Sequence, residues 1–270
     1  MPSPPSAVLE AFGLVDIPVA LPGGQGDSWL AGGTVLKPGA DPRAQEWVGT
    51  ELARVPQRGF RLAPALPARD GRWTVEGWSA TGHVDGMGTE ERPGDPDWAA
   101  VLAAGRALHR AMRHLPRPEW LRVRDDPWAR ADAAAWGEAD LPVASGFQPL
   151  AARLRRALDP GAPSGTAQLV HLDLTGNVLL DPPRPPAVID LSLAWRPPAY
   201  AEGVVLADAL CWHDGRPELV ERLDVPRDAV VRALLFRVLV LTPLGEGRWT
   251  HAEVEEQVWR HTRAAEQLGL

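Results

Sequence analysis

Cysteine, lysine and asparagine are each represented by one residue among 270. The single cysteine, Cys211, excludes a disulfide within the chain, and such cysteine usage is typical of a reducing compartment. The first five residues, Met-Pro-Ser-Pro-Pro, lack the basic and apolar regions of a signal peptide. The sequence therefore predicts a cytoplasmic protein.

Excess positive charge and long apolar runs are also missing. The net charge of −7 argues against a nucleic-acid partner or a basic membrane surface. The run from Ala229 to Leu244 is interrupted by Arg232 and Arg237, which excludes a membrane span there. A hydrophobic content of 45% predicts a well-filled core, while the oligomeric state is not determined by the sequence.

The scarcity of lysine and asparagine draws attention to the two that remain, Lys37 and Asn177. The chain has 28 basic residues and uses arginine for all but one of them, as expected for a GC-rich genome. A lone lysine and a lone asparagine under that pressure indicate roles that arginine, aspartate or glutamine cannot fill.

Two short segments, 168–180 and 187–191, combine apolar runs of strand length with acidic and amide side chains. Their polar residues are His171, Asp173, Asn177 and Asp190. Two carboxylates and an amide suit Mg²⁺, and one carboxylate is alternatively free to accept a proton from an attacking hydroxyl. The simpler alternatives are a surface turn at His171 and a turn cap at Asp190.

A glycine-rich turn lies between the predicted strands 17–21 and 28–30. It contains Gly23, Gly24, Gln25 and Gly26, whose backbone N–H groups would approach a phosphate closely. Lys37, in the predicted strand 34–38, would reach back to the same phosphates. An ordinary glycine-rich hairpin is the alternative, because the turn matches no established phosphate-binding motif.

A helix is predicted over residues 41–55, with Asp41 as its N-cap. Glu46 and Glu51 are candidates for a carboxylate that orients Lys37. A solvated helix charge is the equally simple interpretation of either residue.

The remaining elements divide the chain into a strand-rich first part and a helical second part. Residues 60–66 and 72–77 are predicted to form a hairpin, and Asp208 falls in a buried helix where it must be paired. We therefore expect an α+β, two-lobed fold with an N-lobe over residues 1–82 and a C-lobe over 83–270. The predicted helices of the C-lobe cover residues 97–112, 127–136, 148–158, 202–212, 227–241 and 250–268.

This order of elements resembles the protein-kinase-like fold, and specifically the aminoglycoside phosphotransferase-like family. His171-Leu-Asp-Leu-Thr-Gly-Asn-Val-Leu-Leu180 is similar to that family's catalytic loop, and Val188-Ile-Asp190 is similar to its metal-binding strand. The spacing from Asp173 to Asn177 is one residue shorter than usual, Leu172 replaces a glycine, and Ser192 stands where a glycine often follows.

The resemblance implies roles for individual residues. His171 and Asp173 would be catalytic, with Asp173 accepting the proton of the acceptor hydroxyl. Asn177 and Asp190 would hold Mg²⁺. The nucleotide, ATP, would be bound by the glycine-rich turn, by Lys37 oriented by Glu46, and by the segment that contains Ser79, His83 and Val84.

The function expected from these roles is an ATP- and Mg²⁺-dependent phosphotransferase acting on a hydroxyl of a small-molecule acceptor. A cationic acceptor would suit the acidic residues of the C-lobe, although plain solubility is the favoured explanation; they are Asp125, Asp126, Asp132, Glu138 and Asp140. A kinase-like nucleotide-binding regulator without turnover is the main alternative. A metal-dependent hydrolase is weaker, because it gives Lys37 no role.

Overall fold

The computed structural model describes residues 3–22, 26–92, 95–159, 165–245 and 249–270. The strands are β1 Val19–Ala20, β2 Trp29–Ala31, β3 Thr34–Lys37, β4 Arg61–Leu62, β5 Thr74–Val75, β6 Trp78–Gly82, β7 Met87–Gly88, β8 Gln168–His171, β9 Val178–Asp181, β10 Arg184–Val188 and β11 Leu193–Arg196. The α-helices are α1 Ser6–Phe12, α2 Pro42–Thr50, α3 Trp98–Met112, α4 Glu119–Arg122, α5 Pro127–Ala135, α6 Gln148–Ala157, α7 Pro198–Trp212, α8 Glu218–Arg222, α9 Arg227–Gly245 and α10 His251–Gln267.

An antiparallel sheet of five strands, in the order β1-β2-β3-β6-β5, forms the first part of the chain. Strands β1 and β3 lie within segments predicted from the sequence, and β2 ends one residue beyond the predicted segment 28–30, so the three strands are confirmed. The register places Lys37, at the end of β3, opposite Ser79 in β6. The lone lysine is thereby fixed at the end of the central strand of the sheet.

The hairpin predicted over residues 60–77 is wrong. Glu76 and Gly77 both have positive φ, 49° and 76°, as a type I′ turn requires, and this turn pairs β5 with β6. Strand β4 instead pairs in parallel with β10, so that Arg61 lies opposite Ala187. It belongs to a second sheet, in the order β4-β10-β9-β7. The boundary between residues 82 and 83 stays a prediction, since β4 precedes it and bonds to a strand that follows it.

The predicted C-lobe is built on helices packed around α7 and α9. Almost the whole of α7 is buried, in agreement with its few polar positions. A Cβ added to Gly203 would lie 2.4 Å from the carbonyl oxygen of Ala229, so the missing side chain lets α7 approach α9 closely. The helices predicted in this part are all present, and Thr250 with Glu253 forms the predicted capping box of α10.

The architecture confirms an α+β fold with a small antiparallel sheet in the N-lobe and a helical C-lobe. A third sheet, β8 with β11, lies beside the helices. None of the helices in the described part of the chain combines the length and apolar character that crossing a bilayer requires.

Candidate active site

The turn that joins β8 to β9 carries the predicted catalytic loop. Its backbone is closed by a hydrogen bond from the Asn177 N–H to the Leu174 carbonyl oxygen at 3.1 Å. Gly176 has a φ of 75°, a left-handed conformation that glycine adopts without strain. The loop therefore turns within the shortened spacing between Asp173 and Asn177.

The carboxylate of Asp173 is held on both oxygens. The amide nitrogen of Asn177 donates to the Asp173 backbone oxygen at 2.7 Å and to Oδ2 at 3.2 Å. Arg237, from α9, donates to Oδ1 at 2.9 Å. The side chain of Asp173 stays 39% exposed, so the carboxylate is oriented by the protein and still open to a reactant.

His171 supports this loop from inside the core. Its side chain is fully buried, Nδ1 accepts hydrogen bonds from the backbone N–H groups of Asp173 and Ser192, and Nε2 lies 3.3 Å from the Ile189 carbonyl oxygen. Burial lowers the pKa of His171, while the carboxylates of Asp173 and Asp190 act in the opposite direction. With both nitrogens engaged, His171 fits a positioning role rather than the direct contact with reactants expected of a catalytic residue.

A second buried histidine continues the support. Nε2 of His109, on α3, accepts a hydrogen bond from the His171 backbone N–H at 3.0 Å. Complete burial lowers the pKa of His109 to about 3, with a smaller contribution from His171. The neutral ring therefore links α3 to the end of β8.

The lone lysine reaches the second acidic residue. Nζ of Lys37 donates to Oδ2 of Asp190 at 2.6 Å, across 153 positions of the chain. The two side chains are 37% and 47% exposed. Asp190 has a φ of 45°, which turns the chain sharply after β10. The backbone N–H of Ile189, the residue before it, bonds to the Asn177 carbonyl oxygen at 3.0 Å, so both loops are joined.

The glutamates expected to orient Lys37 do not do so in this structure. Glu46 is exposed on α2, and Glu51 is paired with Arg54 at 3.2 Å. Asp41 caps α2 as predicted, by accepting from the backbone N–H groups of Arg43 and Ala44. Lys37 is paired with Asp190 instead because the ends of β3 and β10 bring these two side chains together.

The glycine-rich turn lies mostly outside the described residues, since Gly23, Gly24 and Gln25 are not among them. Gly26 has a φ of 70°, and an added Cβ would meet no atom within 4 Å. The flanking backbone is paired, with Leu21 N–H bonded to the Ser28 carbonyl oxygen at 2.9 Å. The hairpin around the turn is therefore formed.

The residues predicted to bind adenine lie along and after β6. Ser79 is buried opposite Lys37 and donates to its carbonyl oxygen at 3.5 Å. The backbone N–H of His83 bonds to the Gly33 carbonyl oxygen at 2.8 Å, and Val84 follows it. Residues 83–86 connect β6 of the first sheet to β7 of the second, so this segment joins the two lobes.

The donor atoms at the ends of β9 and β10 fit Mg²⁺. The side-chain nitrogen of Asn177 donates hydrogen bonds to Asp173, so the side-chain oxygen of Asn177 is the atom available to bind a metal ion. Asp190 is half exposed, and its carboxylate already binds one cation, the Lys37 ammonium group. In the described part of the chain no three His, Cys, Asp or Glu side chains form a metal site. The two oxygen ligands do not complete an octahedral shell, so water and phosphate oxygens would have to supply the other ligands of a Mg²⁺ ion here.

Sequence reasoning missed the role of Arg237. It is 6% exposed on α9 and bonds to both oxygens of Asp208, with Nε–Oδ1 2.7 Å and Nη2–Oδ2 2.6 Å, as well as to Asp173. Burial raises the pKa of Asp208 and the Arg237 charge opposes that shift, while the pKa of Arg237 is raised by both carboxylates against desolvation. The need of Asp208 for a partner was predicted. The available signal for Arg237 was an arginine inside an apolar run.

A cavity of about 280 Å³ opens beside this arginine. Its walls come from the loop after Asp173, from α5 and from the helices α7 and α9. The lining residues are Trp128, Thr175, Asp208, Trp212, His213, Arg237, Val240 and Leu241. Because Arg237 also touches Asp173, the cavity lies next to the predicted base.

The acidic residues that suggested a cationic acceptor are largely neutralised by arginine. Asp125 pairs with Arg130, Asp126 with Arg124, and both Asp132 and Glu138 with Arg196. Asp126 also caps α5. Four of the five acids therefore carry structural ion pairs, and the expectation of an acidic acceptor surface is not supported.

No protein-family model and no curated protein sequence matches this chain. Solved structures match it over nearly the full length. A choline kinase from Streptococcus pneumoniae is 14% identical, with a TM-score of 0.63 and 98% of both chains covered. A thermostable mutant of the aminoglycoside phosphotransferase APH(4)-Ia is 18% identical, with a TM-score of 0.61 and 98% of both chains covered. The spectinomycin phosphotransferase APH(9)-Ia is 11% identical, with a TM-score of 0.60, and 98% of this chain and 96% of that one are covered. The chain therefore has the protein-kinase-like fold that aminoglycoside phosphotransferases and choline kinase share.

Proposed function

We propose that this protein is an ATP- and Mg²⁺-dependent phosphotransferase that acts on a hydroxyl of a small-molecule acceptor. The observation that carries the proposal is two side-chain pairs held together through the backbone. Lys37 bonds to Asp190, and Asn177 bonds to Asp173. The backbone N–H groups of Asp173 and Ser192 both bond to His171 Nδ1, and the Ile189 N–H bonds to the Asn177 carbonyl oxygen, so the loops that carry the two pairs are joined.

The chemistry assigned to these residues is an in-line transfer. Asp173 accepts the proton of the acceptor hydroxyl. The oxygen of that hydroxyl forms a bond to the γ-phosphorus of ATP, and the bond from this phosphorus to the bridging oxygen of ADP breaks. Lys37 binds phosphate oxygens after exchanging its contact with Asp190. Asn177 and Arg237 keep the carboxylate of Asp173 aligned, which is the positioning that phosphoryl transfer depends on.

Nucleotide and metal binding are assigned to the region where the end of β3 meets the start of β9 and the end of β10. Asp190 and the amide oxygen of Asn177 would hold Mg²⁺, which neutralises charge on the phosphates when bound. The glycine-rich turn would cover the phosphates, and the segment with His83 and Val84 would contact adenine. The neighbouring APH(4)-Ia and APH(9)-Ia structures were solved with AMP-PNP and with ADP, respectively, which supports a nucleotide as phosphoryl donor.

The decisive experiment compares Asp173→Asn with Asp190→Ala. Asp173→Asn keeps the size of the side chain but removes its basicity, so kcat for ADP release should fall about 10²–10⁴-fold with unchanged Mg-ATP affinity. Asp190→Ala should weaken binding of Mg-ATP itself, measured by isothermal titration calorimetry. Asp125→Asn is the matched control, because Asp125 is exposed and pairs with Arg130 away from these residues. Normal turnover by Asp173→Asn would refute the assignment of the base.

A nucleotide-binding regulator without turnover is the second candidate. It is favoured by one observation, the pairing of Lys37 with Asp190 in place of Glu46. In that case Mg-ATP binds, no acceptor receives phosphate, and Asp173→Asn changes nothing measurable. The same titration and turnover assays therefore separate the two candidates.

A further inference from the structure

The cavity beside Asp173 indicates which kind of acceptor the proposed phosphotransferase would take. We assign it to the acceptor side of the site because it adjoins the base: Arg237, which lines it, bonds to Asp173, and Thr175, which also lines it, follows Asp173 by two positions in the sequence. A volume of about 280 Å³ is close to the lower end of the range for small-molecule sites, roughly 300–1,000 Å³. It suits a molecule with a single ring.

The exposed lining of this cavity is mostly apolar. Trp128 and Trp212 are partly exposed to it, and Val240 and Leu241 complete the apolar wall. The indole N–H of Trp212 is directed at Gln257, 3.2 Å away, so this ring offers carbon atoms rather than a donor. Such a surface gains free energy by burying an apolar or aromatic body.

The charges that line the cavity are already compensated. Asp208 is 3% exposed and both of its oxygens accept from Arg237, so its charge is buried and already paired with a guanidinium group. Arg237 is in turn paired with Asp208 and Asp173, so it presents no unpaired charge to a ligand. A buried ammonium without a carboxylate partner is strongly disfavoured. Among the described lining residues, no acid remains for a cationic acceptor.

We propose that the acceptor is a neutral alcohol on a ring-sized apolar body, bound between Trp128 and Trp212 with its hydroxyl directed at Asp173. The proposal rests on the proposed function and narrows it. It sets this protein apart from its structural neighbours, whose names and complexes refer to choline, spectinomycin and hygromycin B.

A matched pair of probes tests the charge preference directly. The first is 4-methylbenzyl alcohol, and the second is 4-(aminomethyl)benzyl alcohol, which has the same body with one ammonium group. Binding is measured by titration calorimetry with and without Mg-ADP, because the cavity exists in the nucleotide-free chain. The neutral alcohol should bind at least about tenfold more tightly, and ATP-dependent phosphorylation should favour it over choline and hygromycin B.

Variants test the location. Trp128→Ala and Trp212→Ala should each weaken binding of the neutral probe by about tenfold, the effect of losing an aromatic contact together with its buried area. Both should leave the affinity for Mg-ADP unchanged. Trp259→Ala is the matched control, because Trp259 is 57% exposed on α10 and does not line the cavity. Each variant is checked by its thermal unfolding midpoint.

The outcomes separate this proposal from the proposed function. Equal or tighter binding of the ammonium alcohol, failure of the neutral alcohol to bind at millimolar concentration, or no effect of either tryptophan variant overturns the acceptor proposal. Phosphate transfer to choline or hygromycin B also overturns it but supports the phosphotransferase function. Failure of Mg-ATP and Mg-ADP to bind refutes the proposed function, whereas the probe titrations without nucleotide still decide the acceptor class.

Discussion

Removing Asp208 should destabilise the protein strongly, because it would leave most of the Arg237 charge buried without compensation. Asp208 is 3% exposed and accepts two of the three hydrogen bonds that Arg237 donates to carboxylates. Breaking a buried ion pair costs about 3–5 kcal/mol. Arg237 keeps its contact with the partly exposed Asp173, so we expect the lower end, about 3 kcal/mol, for Asp208→Ala. This corresponds to a fall of about 6–12 °C in the thermal unfolding midpoint.

The double variant Asp208→Leu with Arg237→Met provides the internal test. Replacing a buried pair by apolar residues of similar volume is often neutral, so this variant should regain at least half of the lost stability. It should nevertheless lose turnover, because Asp173 no longer has its Arg237 contact. Asp125→Ala removes an exposed pair and should leave the thermal unfolding midpoint nearly unchanged. The reasoning fails if Asp208→Ala unfolds like wild type or if the double variant is no more stable than the single one.

Three further outcomes are expected. Gly203→Ala should cost about 1–3 kcal/mol in calorimetric unfolding, since its Cβ would lie 2.4 Å from the Ala229 carbonyl oxygen; a stabilised variant would contradict the close α7–α9 contact. The depressed pKa of His109 predicts that wild type loses about 2 kcal/mol more stability than His109→Gln between pH 7 and pH 5 in urea titrations, because only the unfolded chain takes up a proton there; a pH-independent difference would exclude this effect. Cys211, which is fully buried and whose pKa burial raises, should react with a thiol reagent only after unfolding; rapid labelling of the native protein at pH 8 would be inconsistent with its burial.

The sequence was sufficient to identify residues that meet in space when each had a local pattern. Asp173 and Asp190 come shortly after apolar strands and Asn177 directly precedes one, which predicted that these three lie close together. Lys37 was added to them by the resemblance to the kinase-like family. Helices such as α3 and α10 were predictable for the same reason, because their apolar periodicity and caps are local. The turn that pairs β5 with β6 also carried a local signal, the glycine after Glu76, but the prediction paired segment 72–77 with segment 60–66 instead.

Non-local contacts account for what was missed. The pairing of β4 with β10 joins Arg61 to Ala187, and no pattern in either segment indicates the other. The partner of Lys37 depends on how α2 sits against β3, which charge spacing along a helix does not report. Arg237 was visible only as an arginine in an apolar run, and its contact with Asp173 arises from the packing of α9 against α7.

The exchange of strands between the two parts of the chain has a consequence for dissecting it. Strand β4 precedes residue 82, yet its hydrogen-bonded neighbour is β10, and β7 is attached to β9. A cut after residue 82 would leave β4 on one fragment and strip β10 of a neighbour on the other, exposing unpaired backbone on both pieces. We therefore expect neither fragment to fold alone, because each would lack strands that the other one pairs with.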